Sequence, residues 1–389
     1  MPRALGRVMA APMFWISTAL VFFAYAGYPI VLLLVTRLRS KPIARRRIFP
    51  KVTFVITAHN EARRLRQKLE NTVAQDYPAS LLEIIVASDC STDGTDDIAR
   101  SFGGRVRLVR ARERRGKEAA QQIAVEAASG DVLVFSDVAT AIALDGISSI
   151  VANFADPSVG CVSSVDRFVD ADGRTSGEGA YVRYEMFLRT LETRVNSLVG
   201  LSGSFFAARR EVCRRWAADR QSDFSTLLNA VELGYRGVLD PDTAGYYRNI
   251  ADDRRESARK VRTVVRGLAV LARNWRMLNP FRYGMFAWQL ASHKLCRWLV
   301  PFAMIAAFAS NAALLASPFY RAAFAAQIAF YGAAIVGLWT GADALRIPAY
   351  FVRSNLAILI AWLHFARGER MTSWTPSDRL TALPHTNPQ

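Results

Sequence analysis

KVTFVIT at residues 51–57 is the first of four short apolar runs that decide the fold. Each run is rich in Val, Ile, Leu or Phe and is followed by turn or polar residues, which predicts a buried strand. The other three runs are LEIIVAS (82–88), RVRLV (105–109) and DVLVFS (131–136). Helical stretches separate them, at 61–75, 93–102 and 117–128. This alternation predicts an α/β domain in which helices cover a mostly parallel sheet.

Acidic side chains follow three of these four strands. Right-handed crossovers bring the loops after parallel strands to one edge of the sheet, where open α/β sheets bind their ligands. Glu61 follows the first strand, Asp89 the second and Asp137 the fourth. A carboxylate there can accept hydrogen bonds from a nucleoside or bind a divalent metal, and Lys117 could face a diphosphate. Taken alone, each acid is expected to cap a helix or close a turn more often than to bind a ligand, so only the combination and order indicate a site.

Long uncharged runs flank the predicted domain. Residues 11–36, 298–320 and 322–342 contain no charged side chain, and about 20 apolar residues suffice to cross a bilayer as a helix. We therefore predict a leader at 1–10, a transmembrane anchor at 11–36 and a transmembrane region at 298–366 with two or three helices. Its last candidate span, 347–366, is interrupted by Arg353. The alternative, a signal peptide cleaved after Ala24-Tyr25-Ala26, is disfavoured because the apolar run continues ten residues further.

The formal net charge of +17 is concentrated at 37–51, 105–117 and 254–282. The first and last clusters adjoin membrane segments, and Lys and Arg favour the cytoplasmic side. The remaining predicted boundaries are a basic linker at 37–50, a cytoplasmic domain at 51–253, basic amphipathic interfacial helices at 254–297 and a polar tail at 367–389. Membrane lipids explain this charge better than nucleic acid, for which no motif is present. Four widely spaced cysteines suit a reduced compartment, and we expect a bacterial inner or plasma membrane.

The sequence predicts the secondary structure of the second half of the domain less clearly. Residues 178–200 and the segment from Asp223 to near Gly234 are expected to be helices, and YRGVL (235–239) a strand. Between them, GLSGSFFAARREV (200–212) is a stretch of small residues with no assigned element. No G-x-G-x-x-G follows the first strand, and Gly116-Lys117 lacks the upstream glycine of a P-loop, which excludes both nucleotide motifs.

Five phrases, in this order and spacing, resemble the membrane-anchored family-2 glycosyltransferases, which include cellulose- and hyaluronan-synthase-like enzymes. They are KVTFVITAHNEA (51–62), KLENTVAQDYP (68–78), EIIVASDCSTDGT (83–95), RRGKEAAQQIAVEAASGDVLVFSD (114–137) and SDF…ELGYRGVLDPDT (222–243). The resemblance covers residues 50 to about 280. It implies a cytoplasmic domain of the GT-A fold that binds a nucleotide-diphospho-sugar, expected to be a UDP-sugar, and transfers the sugar with inversion.

Individual roles follow from the same resemblance. Asp223, 11 residues before Gly234, would be the catalytic base, and Asp137 would hold Mg²⁺ or Mn²⁺ as the first acid of an Asp-x-Asp motif. The segment Ser202, Gly203 and Ser204 would lie under the donor sugar and acceptor. The residues that would bind the donor are Thr57, Glu61, Asp89, Lys117, Asp137, Arg259 and Arg262. For the two arginines, contact with lipid headgroups is an equal alternative.

Two departures from the family pattern narrow the expected function. Asp137-Val138-Ala139 lacks the second acid of the metal motif, although one carboxylate with phosphates and waters can hold Mg²⁺. The family's Q-x-x-R-W motif would fall at 259–263, where the glutamine and tryptophan are missing. We therefore expect single-sugar transfer to a lipid-linked or saccharide acceptor in cell-surface polysaccharide or glycolipid synthesis. A processive polysaccharide synthase, a catalytically weakened scaffold and a membrane-tethered nucleic-acid binder stay open as alternatives.

Overall fold

The computed structural model describes residues 2–169, 180–248 and 253–369. It divides into two compact units, each described separately below. Val35–Ala251 forms a sheet unit, and Met1–Leu34 joins Asp252–Arg370 in a helical unit. The helices are α1 Pro2–Phe22, α2 Tyr28–Leu38, α3 Ala62–Val73, α4 Thr95–Ser101, α5 Lys117–Ala127, α6 Gly146–Ala152, α7 Ala180–Val195, α8 Arg210–Cys213, α9 Ser222–Glu232, α10 Asp253–Arg273, α11 Pro280–Tyr283, α12 Met285–Leu290, α13 Cys296–Ala312, α14 Pro318–Thr340 and α15 Arg346–Ala366.

The sheet unit is built on eight hydrogen-bonded strands in the order β3-β2-β1-β4-β7-β6-β8-β5. These strands are β1 Val52–Ala58, β2 Leu82–Ser88, β3 Arg107–Arg110, β4 Val132–Asp137, β5 Ala141–Ile142, β6 Val159–Val169, β7 Phe205–Arg209 and β8 Arg236–Arg248. The four predicted strands β1 to β4 pair in parallel, as do β6 and β8. The remaining pairs, β4–β7, β7–β6 and β8–β5, are antiparallel. The predicted α/β fold with a mostly parallel sheet is thus confirmed.

The buried core of this unit explains why the apolar runs become strands. Every residue of β1 is buried, so the strand is covered on both faces, as parallel strands usually are. On α3, Leu65, Leu69 and Thr72 lie on one buried face, as helical spacing requires. The carboxyl ends of β1, β2 and β4 therefore lie side by side at one edge of a rigid sheet.

Three strands, the two-residue β5 and the longer β6 and β7, lie where the sequence predicted none. Phe205–Arg209, inside the stretch of small residues at 200–212, is β7, which joins the predicted parallel strands to the rest of the sheet. β6 has serines in its centre, which interrupt its apolar pattern. Both of these longer strands are stabilised by pairing with segments far away in the chain, and local sequence does not report such pairing.

The basic linker begins in the last residues of α2 and has no regular secondary structure from residue 39 onward. The backbone N–H of Lys41 donates to the Arg194 carbonyl (2.8 Å), and the Arg236 guanidinium donates to the carbonyls of Lys41 (3.1 Å) and Pro42 (2.9 Å). Arg45 forms an ion pair with Asp240 at 3.3 Å. These contacts fix the segment to the domain that follows it.

Among the described residues, four helical segments are long and apolar enough to cross a membrane. They are Met9–Leu38, Met285–Ala312, Pro318–Thr340 and Asp343–Ala366. This arrangement, one helix near the N-terminus and three towards the C-terminus, agrees with the predicted number. A π-helical turn interrupts the first two segments, at Phe23–Gly27 and Ala291–Leu295.

The helix boundaries differ from the uncharged runs in one respect. The run at 298–320 is not a single helix, because α13 ends at Ala312 and α14 begins at Pro318. A proline at the first position of a helix has a suitable φ and needs no N–H partner. Met285–Ala312 also includes most of residues 281–297, so the border between an interfacial layer and a membrane span stays a prediction.

Candidate active site

The site is at the edge of the sheet where β1, β2 and β4 end. Thr57 on β1 is the register neighbour of Asp137 on β4. The Thr57 hydroxyl is buried and makes no hydrogen bond within the described part of the chain. A buried hydroxyl without a partner is costly, so its position beside Asp137 suits a polar ligand at this edge.

Asp89 is fully buried, and backbone amides occupy its carboxylate. The N–H of Arg115 donates to Oδ1 (2.9 Å) and the N–H of Gly116 donates to Oδ2 (3.0 Å). Gly116 has φ +98°, a conformation that favours glycine, and α5 begins at the next residue. Asp89 therefore fixes the loop that orients Lys117.

Lys117 connects the two halves of the site. Its ammonium lies 2.5 Å from Oδ1 of Asp137 and donates to the carbonyl of Gly203 at 3.0 Å. The backbone N–H of Asp137 in turn donates to the Ser204 carbonyl (3.0 Å). The Asp137 side chain keeps 28% of its surface exposed. An exposed carboxylate beside a lysine can exchange that partner for a charged ligand.

Gly203 lies beside the predicted base. A Cβ built on Gly203 would be 3.2 Å from Oδ2 of Asp223, so glycine permits the close approach. Asp223 is in the first turn of α9, accepts the Phe224 N–H at 2.8 Å and receives a hydrogen bond from the Gln221 side chain at 3.2 Å. Lys117 and Gly203 thus lie between Asp137 and Asp223.

The serines beside Gly203 contact an acid that sequence analysis missed. The hydroxyls of Ser202 (2.5 Å) and Ser204 (2.9 Å) both donate to Oδ1 of Asp166 on β6. Asp166 thereby fixes the loop on both sides of Gly203. The serines and Asp166 are far apart in sequence, so no local signal connects them.

Glu61 is buried beside Arg64, whose Nε donates to Oε2 at 2.7 Å. Burial raises the pKa of Glu61 to about 7, because desolvation outweighs the attraction of the Arg64 guanidinium. The negative charge of Asp137 contributes to the raised pKa, which indicates that the two carboxyl groups are near each other.

Comparison with known proteins identifies this region. The family described as "Glycosyl transferase family 2" matches residues 53–216. These residues are a family-2 glycosyltransferase domain.

Curated relatives match parts of the chain. The glycosyltransferase AglE of Haloferax volcanii is 29% identical over 141 residues, which are 36% of this chain and 45% of that protein. The succinoglycan biosynthesis protein ExoO of Rhizobium meliloti is 26% identical over 219 residues, 52% of this chain and 62% of that protein. The chain therefore spans less than two thirds of either relative.

A solved structure resembles more of the chain. The mannosyltransferase PcManGT from Pyrobaculum calidifontis, in complex with GDP-Man and Mn²⁺, has a TM-score of 0.70 and 25% identity. The match covers 91% of this chain and 99% of that one. The likeness thus extends well beyond the glycosyltransferase domain, and it supports the GT-A-like fold.

A buried lysine of the glycosyltransferase domain was also missed. Lys68 on α3 is fully buried and donates to the Ser136 hydroxyl (2.7 Å) and the Thr140 carbonyl (2.6 Å), on either side of Asp137. Desolvation lowers its pKa to about 7. Its position on the same face as Leu65, Leu69 and Thr72 was the available signal, because a lysine at that spacing must be buried with them.

Asp137 is the predicted metal ligand. No group of three or more His, Cys, Asp or Glu side chains that could hold a metal occurs in the described ranges. Asp137 offers one exposed carboxylate, which suits a cation that takes its other ligands from phosphates and water. The donor set therefore fits a metal that binds together with a diphosphate.

Arg259 and Arg262 lie outside the glycosyltransferase domain, on α10 of the helical unit. The structure brings Thr57, Glu61, Asp89, Lys117, Asp137, Ser202, Gly203, Ser204 and Asp223 into one unit. A donor-binding role for the two arginines stays a prediction.

Proposed function

We propose that this protein transfers one sugar from a nucleotide-diphospho-sugar to a lipid-linked or saccharide acceptor, with inversion, at a membrane. The main support is that Lys117 contacts both Asp137 and the Gly203 carbonyl, and that Gly203 lies close to the Asp223 carboxylate. This arrangement supports a carboxylate base on one side of the Gly203 loop and a diphosphate-binding lysine on the other. The donor is a UDP- or GDP-sugar, and the similarity to a structure in complex with GDP-Man favours testing both.

The acceptor side of the reaction belongs to Asp223. An acceptor hydroxyl must lose its proton as it attacks the anomeric carbon, and a carboxylate within hydrogen-bond distance can take that proton. The partners of Asp223, Gln221 and the Phe224 N–H, orient the carboxylate. A single base acting in line with the departing diphosphate inverts the anomeric centre, and no second carboxylate is required as a nucleophile.

The donor side belongs to Lys117 and Asp137. Negative charge develops on the departing diphosphate, and the Lys117 ammonium can neutralise part of it. Asp89 keeps Lys117 in position through the Arg115 and Gly116 amides. A divalent cation, Mg²⁺ or Mn²⁺, would bind at Asp137 and supply further charge stabilisation to the leaving group.

The location follows from the four apolar helices and the basic segments. We propose that these helices cross a bacterial inner or plasma membrane and that the domain faces the cytoplasm. Similarity to a succinoglycan biosynthesis protein supports a role in cell-surface polysaccharide synthesis.

The test uses the full chain, purified in detergent, with a panel of UDP- and GDP-sugars and Mg²⁺ or Mn²⁺. We expect release of nucleoside diphosphate with one donor. Asp223→Asn should abolish turnover and keep donor binding, whereas Asp219→Asn, an exposed acid four residues earlier, should be as active as the native chain.

Two results would contradict the proposal. Full activity of the Asp223→Asn variant would eliminate the assigned base. Failure of every donor to bind by calorimetry in the presence of metal would favour the scaffold alternative.

A further inference from the structure

The segment Tyr350–Asn355, about one and a half turns of α15, carries four polar side chains within a mostly apolar helix. Ser354 and Asn355 are buried there, with 9% and 2% of their surface exposed, and Arg353 and Tyr350 are half-buried. A helix that crosses a bilayer tolerates such residues where they contact one another, and intramembrane charges commonly mark functional sites.

A lysine from α10 reaches this segment. The Lys260 ammonium donates to the Ser354 hydroxyl (2.7 Å) and to the Tyr350 hydroxyl (3.2 Å). It also lies 4.6 Å from the centre of the Tyr350 ring, and the Arg353 guanidinium lies 6.0 Å from the same centre. Two cations therefore share one tyrosine ring.

A third cation, Arg297, is connected to this segment through Tyr25. Asn355 donates to the Tyr25 hydroxyl at 3.4 Å, and the Arg297 guanidinium lies 5.6 Å from the centre of the Tyr25 ring. Arg297 is buried. Tyr25 lies in one π-helical turn, and Arg297 comes two residues after the other; such turns are frequent at functional sites.

The membrane-length helices contain few acidic residues that could offset this positive charge. The four membrane-length segments contain a single acidic residue, Asp343, which lies 3.8 Å from Arg346 at the start of α15. Cations held close together repel one another, and an anion between them offsets that repulsion. Ammonium, guanidinium and hydroxyl groups are also the donors that bind phosphate in proteins.

The depth of the Tyr350 end of this segment suits a lipid headgroup. With a rise of 1.5 Å per residue, Tyr350–Asn355 lies roughly 6–14 Å along α15 from Arg346. The Tyr350 end, roughly 6 Å along, is within reach of a phosphate at the surface of the bilayer core, because long Lys and Arg side chains extend towards that surface. Asn355 lies close to the middle of the core, whose half-thickness is about 15 Å.

We infer that Lys260, Arg297 and Arg353, with Tyr25, Tyr350 and Ser354, form a binding site for the phosphate of a lipid. We name it the α15 cationic cluster. It rests on the membrane placement in the proposed function and not on the transfer reaction. The phosphate belongs either to an acidic phospholipid or to a lipid-linked acceptor, because both present the same charged group on an apolar chain.

The experiment measures lipid binding to the full chain in a neutral detergent, by native mass spectrometry and by protection against thermal unfolding. The probes are phosphatidylglycerol, phosphatidylcholine, a polyprenyl phosphate and the corresponding polyprenol. The variants are Lys260→Gln and Arg353→Gln, since both residues are half-buried and the substitution of buried Arg297 threatens folding. Arg273→Gln removes the same charge from an exposed position of α10 and is the matched control.

We expect phosphatidylglycerol and polyprenyl phosphate to bind and protect the native chain, and phosphatidylcholine and polyprenol to do neither. Binding should weaken at least tenfold in Lys260→Gln and Arg353→Gln and stay unchanged in Arg273→Gln. Binding of polyprenyl phosphate at least tenfold tighter than phosphatidylglycerol would identify a lipid-linked substrate as the occupant, and binding of phosphatidylglycerol at least tenfold tighter than polyprenyl phosphate would identify a phospholipid.

Equal binding to the native chain and both variants would overturn the inference, as would protection by polyprenol equal to that by its phosphate. Nucleoside diphosphate release from the donor, measured on the same preparations, separates this result from the proposed function. Loss of the lipid effect with donor turnover intact rejects the α15 cationic cluster alone.

Discussion

Asp89 comes directly after β2, and Asp137 is the last residue of β4 at the same edge of the sheet. Their carboxylates differ in burial and in hydrogen-bond partners. Asp89 has no exposed surface, and two backbone amides occupy its two oxygens. Asp137 is partly exposed, and its contact is a lysine side chain that can move to a ligand. Similar motif positions thus place one acid in the framework of the site and leave the other available for chemistry.

The largest expected effect is at Asp137. Asp137→Asn should reduce turnover by roughly 100- to 1,000-fold, since it removes the charge that would hold the metal at the diphosphate. Its thermal midpoint should change little, because the side chain is partly exposed. Asp131→Asn makes the same change at an exposed residue directly before β4 and should alter neither turnover nor the thermal midpoint. An Asp137→Asn variant with a lowered thermal midpoint and native turnover would show that Asp137, like Asp89, has a structural role.

Asp89→Asn should mainly affect stability. The asparagine amide group would face one of the two N–H donors, so the variant loses charge-assisted hydrogen bonds worth about 1.5–3 kcal/mol. Urea unfolding measures this loss. Donor affinity should fall as well, because the loop before Lys117 is no longer fixed. Native stability in this variant would show that Asp89 is not a framework residue.

Lys68→Met tests whether the contacts on either side of Asp137 position its carboxylate. The substitution leaves the buried Ser136 hydroxyl and Thr140 carbonyl without their donor, so stability should fall by about 1–3 kcal/mol. Turnover should fall about tenfold, because the Ser136 and Thr140 contacts that position the Asp137 turn are lost. Lys51→Met, at an exposed lysine just before β1, is the control. Unchanged turnover in Lys68→Met would exclude this positioning role.

The last prediction concerns the pH dependence of stability, since it affects unfolding and not turnover. The pKa of Glu61 is raised from 4.5 to about 7, so the folded state binds the proton more tightly than the unfolded state. Stability from this group is fully present below pH 4.5 and is lost as the pH rises to about 7, at most roughly 3 kcal/mol. Unfolding of Glu61→Gln, measured from pH 4.5 to 8, should lack this decline. An equal decline in both proteins would refute the assignment to Glu61.

The sequence predicted the parts of the fold that local patterns determine. The strands β1 to β4 were recognisable because each is a short apolar run ended by polar residues, and α3, α5 and α9 began within a residue or two of their expected positions. The strands β6 and β7 were missed because serines and small residues mask their pattern, and because their stability comes from pairing with distant segments.

The candidate site shows the same division. Asp137, Lys117, Gly203 and Asp223 were identified through motif spacing, and the structure brings them together. The framework role of Asp89 could not be foreseen, since it depends on which amides face the carboxylate. Asp166 was invisible because its two serine partners are more than 30 residues away along the chain.

The docked linker has a practical consequence for truncation. Arg236 is buried, and two of its acceptors are the carbonyls of Lys41 and Pro42. A fragment cut at the first residue of β1 would strip these acceptors from a buried guanidinium and expose the surface that they cover. A soluble version of the domain for expression should therefore retain the chain from Arg39 onward, so that the basic linker is kept as part of the folded domain.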